Sequence, residues 1–72
     1  MEVDGRMMGV RRILNSRATR ANEMYAECLE KAKESEPNSR TWNAYEDRAR
    51  YWSTKAEAYA DALNLIDAAY RP

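Results

Sequence analysis

Apolar side chains recur at steps of three and four residues through the whole second half of this chain. An α-helix has about 3.6 residues per turn, so this periodicity predicts one long helix with a continuous apolar stripe. Small alanines lie among large aromatic residues along the stripe, which suits close packing against another helix. We call this stripe the second-helix seam, and its members are Trp42, Tyr45, Ala49, Trp52, Ala56, Tyr59, Leu63, Ile66 and Tyr70.

Pro37 divides the chain into two helical halves. The residue before a proline avoids helical geometry, so the sequence predicts a first helix over about residues 6–35 and a turn over 36–39. The second helix is then predicted over about residues 40–70. Because so short a connection makes neighbouring helices run antiparallel, the predicted fold is all-α, a single-domain two-helix antiparallel hairpin.

The first helix has a seam of the same style, and the turn carries residues that start helices. Asn38 or Ser39 is expected to cap the second helix, because each side chain can accept a hydrogen bond from a free backbone N–H group. The first-helix seam comprises Met7, Val10, Leu14, Ala18, Ala21, Tyr25, Cys28 and Ala32.

A hairpin of 72 residues has little interior with which to offset the entropy lost on folding. The chain has one cysteine and no histidine, so neither an internal disulfide nor an ordinary zinc site is expected to stabilise it. Association is the remaining route, and we expect a homo-oligomer, specifically a dimer that forms a four-helix bundle.

The second helix carries a further apolar strip beside its seam, and we expect this strip to form the oligomer interface. Arg48 and Lys55 interrupt it. The alternative is that its alanines simply favour helix and lie exposed. We call it the outer strip, and its members are Tyr51, Ala58, Ala62, Leu65 and Ala69.

Five arginines and no acidic residue lie between Gly5 and Asn22. Three of the arginines share one side of the predicted helix with two apolar residues, which gives a candidate partner-binding face of Arg6, Ile13, Arg17, Arg20 and Met24. Such a face suits phosphate groups or an acidic protein surface. The alternative is that the arginines pair across the hairpin with acidic residues near the end of the second helix, Glu57, Asp61 and Asp67.

Residue types that carry catalysis are scarce. Cys28 has no histidine to activate it, and the sequence contains no phosphate-binding glycine loop and no nucleophile elbow. We therefore expect no enzyme activity, and no catalytic, metal or cofactor-binding residues. The longest uncharged run is too short to span a membrane, and the first ten residues do not resemble a signal peptide, so a cytoplasmic protein is expected.

The formal net charge is zero, so bulk electrostatics favour neither nucleic acid nor a membrane surface as partner. Arginine outnumbers lysine nine to three and alanine occurs twelve times, a usage that favours a GC-rich bacterial or phage source. The expected function is a small helical interaction protein, a phage or bacterial regulator that binds a cellular protein. Two alternatives stay open: a nucleic-acid-binding dimer that uses the arginine face, and a structural component of a larger particle.

Overall fold

Two long helices packed against each other make up the computed structural model, which describes the backbone of residues 5–69 and the side chains of residues 8–69. Helix α1 spans Gly5–Lys33 and helix α2 spans Arg40–Ala69. They form an antiparallel hairpin with extents of 54 × 15 × 12 Å. The predicted all-α hairpin is confirmed.

The connection between the helices begins two residues earlier than expected, because α1 ends at Lys33. The backbone N–H of Ser35 donates to the carbonyl of Ala32 at 3.0 Å, which tightens the last turn. The Ser35 hydroxyl donates to the carbonyl of Lys31 at 3.0 Å. These bonds satisfy carbonyl groups that α1 leaves free at its end, just before Pro37 prevents further helix.

Ser39 is the residue that caps α2. Its Oγ accepts a hydrogen bond from the backbone N–H of Trp42 at 3.1 Å, and its carbonyl accepts the first helical bond from Asn43 at 2.9 Å. Asn38 has a different role, because it adopts a left-handed backbone with φ of 66° that reverses the chain. Of the two predicted caps, the geometry selects Ser39.

The interior of the hairpin is built from small side chains. Its fully buried residues are Ala21, Cys28, Ala32 and Ala49, and no large side chain in the described part of the chain is completely buried. Every described residue of the second-helix seam is buried or half-buried, as predicted, whereas Tyr70 lies outside the described residues. Alanine contacts let the two helices approach closely, and the larger seam residues lie to either side of that contact.

The first-helix seam is confirmed at five positions, which are buried or half-buried, and wrong at two, which are exposed. Val10 and Tyr25 are exposed, at 44% and 37% of their surface. Tyr25 lines an open groove beside α2 and is not covered by it. Met7 lies outside the residues whose side chains are described.

No helix within residues 5–69 has the length and apolar character needed to cross a lipid bilayer.

Candidate interaction surfaces

One side of the hairpin combines aromatic and basic side chains from both helices. On this side a groove of about 230 Å³ brings Met24 together with Tyr45 and Trp52. The full lining of this groove is Met24, Glu27, Cys28, Lys31, Tyr45, Arg48 and Trp52. The guanidinium carbon of Arg48 lies 5.4 Å from the centroid of the Tyr45 ring, within range of a cation–π contact.

The helix faces that line this groove carry further side chains along both helices. On α1, Ile13, Arg17 and Arg20 precede Met24 at steps of four and three residues, which places them on the same side. On α2, Tyr59 and Ile66 follow Trp52 at steps of seven residues and therefore share its side. We call this surface the basic–aromatic face, with members Ile13, Arg17, Arg20, Met24, Tyr45, Arg48, Trp52, Tyr59 and Ile66.

The arginines of α1 differ in their partners. Arg11 makes the cross-helix ion pair, with its Nη2 3.1 Å from Oδ1 of Asp67, so this pair does not involve Arg17 or Arg20. Arg20 lies 3.6 Å from Glu23 on its own helix, and Arg17 has no carboxylate within 4.0 Å among the described side chains. Among the described arginines of α1, Arg11 is therefore the one that pairs with a carboxylate of the other helix. The side chain of Arg6 lies outside the described residues.

The sequence places Tyr45 and Trp52 on the second-helix seam and so predicts that they pack within the hairpin. In the structure both are half-buried and line the same groove as Met24, so they belong to an open surface as well. The signal that could have found them is their size, because a pair of helices has too little depth to cover a tryptophan completely.

The opposite side of the hairpin is more polar. It has a groove of about 220 Å³ whose lining includes Tyr25 and Leu29 from α1 and the carboxylates Glu46 and Glu57 from α2. The two sides therefore offer different chemistry to a partner.

The outer strip lies on the flank of α2, roughly 110° around the helix axis from the seam that packs on α1. Leu65 is 72% exposed and Tyr51 is 53% exposed, Ala58 and Ala69 are exposed, and Ala62 is half-buried. Beside Tyr51 lies the largest of these depressions, with a volume of about 430 Å³. The ammonium nitrogen of Lys55 lies 5.5 Å from the centroid of the Tyr51 ring, so Lys55 folds back over the strip that it interrupts.

Cys28 is a free thiol buried between the helices. Among the described residues, histidine, cysteine and acidic side chains form no group of three or more that could hold a metal ion. The exposed apolar and basic side chains described above have the chemistry that suits binding to another molecule.

A scan of protein-family models, a search of curated proteins and a search of solved structures each found no match to this chain.

Proposed function

We propose that this chain is a non-enzymatic helical interaction protein, a phage or bacterial regulator that acts by binding a cellular protein. The observation that carries the proposal is the exposure of its large apolar side chains. Among the described side chains, burial in the hairpin is complete only for three alanines and a cysteine, whereas Tyr45, Trp52 and Met24 keep part of their surface in water.

The exposed large apolar side chains support this proposal. Met8, Ile13, Tyr51 and Leu65 are each more than half exposed. Apolar surface that remains exposed in a monomer is available to a partner, and burial of such surface is the main driving force of protein association.

Self-association is part of the proposal, in the form of a dimer that completes a four-helix bundle through the outer strip. Sedimentation velocity at micromolar concentrations should give about twice the 8.4 kDa mass of one chain. A compact monomer that unfolds cooperatively would contradict self-association. Particles much larger than a dimer would instead favour a structural component of an assembly.

The basic–aromatic face is the proposed site for the cellular protein, because tryptophan, tyrosine and arginine carry much of the binding energy in protein interfaces. Met24→Glu should abolish capture of a partner from a cell extract, since it adds a charge at the centre of the groove, and should leave the helical circular dichroism unchanged. Ala26→Glu, an exposed position on α1 outside the groove, is the matched control. Equal capture by the wild-type chain and Met24→Glu would contradict this site.

Nucleic-acid binding is the second candidate, and Arg17 is the observation that favours it. This arginine has no carboxylate within 4.0 Å among the described side chains and lies on a face with aromatic residues, an arrangement that also suits phosphates and bases.

The double substitution Arg17→Ala with Arg20→Ala separates the two candidates. If the face binds RNA or DNA, affinity and its dependence on salt should both fall while the free energy of unfolding stays unchanged. Tight, salt-dependent binding of nucleic acid by the wild-type chain, lost in the double variant, would replace protein binding as the proposed function. Absence of such binding would leave protein binding as the function.

A further inference from the structure

The depression beside Tyr51 on α2 is lined by residues with the spacing of a coiled-coil hole. Four of its lining residues are Tyr51, Thr54, Lys55 and Ala58, which have the spacing i, i+3, i+4 and i+7. Four residues at this spacing form the hole that receives one side chain in knobs-into-holes packing. Asp47 and Arg50 complete the lining, and the depression is open to solvent on its outer side, so a side chain from another molecule can enter it.

We propose that a second copy of this chain fills the hole, with its α2 antiparallel to the first and its Leu65 as the knob. Leu65 is 72% exposed and belongs to the same strip, so each copy offers both a knob and a hole. A surface that contains both complementary parts can form a closed two-fold interface. This inference rests on the proposed self-association and specifies its geometry.

The register follows from the spacing along the strip. Residues 51, 55, 58, 62, 65 and 69 advance by four and three in alternation, which is the spacing of a coiled-coil seam. In an antiparallel pair, moving three residues back along one helix corresponds to moving three residues forward along the other. Placing Leu65 of one copy over Lys55 of the second copy therefore places Ala62 of the first over Ala58 of the second.

The same register also places Ala69 over Tyr51. The largest side chain of the strip then faces an alanine, the two central alanines face each other, and the leucine packs on the aliphatic part of Lys55. Large residues against small ones fill the space between helices without voids or overlap.

Lys55 explains why the helices run antiparallel. In a parallel, in-register pair the two copies of Lys55 would lie in one layer, and two like charges in a desolvated layer repel each other. The antiparallel register separates them by ten residues, or about 15 Å along the axis. Lys55 is already half-buried with its nitrogen over the Tyr51 ring, so its aliphatic part can line the hole while its charge stays at the rim.

Disulfide formation between single-cysteine variants tests this register. Ala58→Cys and Ala62→Cys are each made with Cys28→Ala, mixed, equilibrated and mildly oxidised. The mixture should form covalent dimers at least about tenfold faster than either variant alone, because only the mixed pair brings the two sulfur atoms into bonding distance. Ala58→Cys mixed with Ala26→Cys, on the far side of α1, is the matched control and should remain uncoupled.

Three outcomes would overturn the register. Rapid coupling of Ala58→Cys or Ala62→Cys alone would indicate a parallel or shifted pair. Absence of coupling in the mixture, with wild-type chain that sediments as a dimer, would place the dimer interface elsewhere and leave the proposed self-association intact. Wild-type chain that sediments as a monomer would overturn both proposals.

A second variant tests the role of Lys55. Lys55→Leu removes the like-charge repulsion that opposes the parallel pair, so in this background Ala58→Cys alone should gain the ability to couple. Unchanged selectivity for the mixed pair would show that Lys55 does not set the direction of the helices.

Discussion

Ser39 and Asn38 start α2 in two different ways. Ser39 supplies a side-chain acceptor to the N–H of Trp42, whereas Asn38 supplies a left-handed backbone conformation and a carbonyl 3.4 Å from the side-chain amide of Asn43. Asparagine is among the few residues that tolerate positive φ, so the two neighbours are not interchangeable. Each residue type suits its own position.

Ser39→Ala should lower the free energy of unfolding by about 1 kcal/mol, because the N–H of Trp42 loses its acceptor. Urea denaturation followed by circular dichroism measures the change. Ser16→Ala, at an exposed position in α1, is the control and should be neutral or slightly stabilising because alanine favours helix. Equal effects of the two substitutions would contradict the capping role.

At the scale of the elements, each helix is incomplete without the other. Within the described residues, the first turn of α1 has no acidic residue and the last turn of α2 has no basic one, so neither turn carries a charge that favours the helix dipole. The Arg11–Asp67 pair joins the start of α1 to the end of α2. Both side chains are about half exposed, so the pair contributes about 0–1 kcal/mol and serves mainly to favour the antiparallel direction.

Ala56 tests the close approach of the two helices. It belongs to the second-helix seam and is half-buried, so Ala56→Leu should overpack the contact and lower the free energy of unfolding by about 1–3 kcal/mol. Thermal and urea denaturation measure this loss. Ala26→Leu, on the exposed side of α1, should have little effect. A neutral or stabilising Ala56→Leu would mean that the seam is rotated away from α1.

At the scale of the whole molecule, thickness limits what can be buried. The hairpin is only two helices thick, with extents of 15 and 12 Å across its two short axes. Large side chains at the contact of just two helices stay partly open to solvent, and among the described side chains complete burial is restricted to alanine and cysteine. In the proposed dimer, a second copy covers part of the remaining surface.

Leu65→Lys should weaken self-association and leave the helical content nearly unchanged. The side chain is largely exposed in the single chain, but in the proposed dimer the new charge would lie against Lys55 of the second copy. Sedimentation at several concentrations, with circular dichroism on the same samples, measures both quantities. Ala26→Lys adds the same charge on α1 and should not change the mass. A Leu65→Lys chain that associates as well as the wild-type chain would exclude the outer strip as the interface.

The sequence by itself determined both helices, the break at Pro37, the restriction of the cap to Asn38 or Ser39, and the second-helix seam. These features depend on local backbone preference and on the direction of each side chain around one helix axis, and both can be read from residue types and spacing. The outer strip also followed from spacing, and its exposure agrees with its predicted position outside the hairpin contact.

Only the tertiary structure decided how the two helices are rotated and shifted against each other. That fit selected Arg11 as the partner of Asp67, left Val10 and Tyr25 exposed, and joined Met24 to Tyr45 and Trp52 in one groove. Spacing along a helix fixes angles about that helix alone. The relative placement of two helices depends on which small side chains meet at their contact, and that is settled by packing.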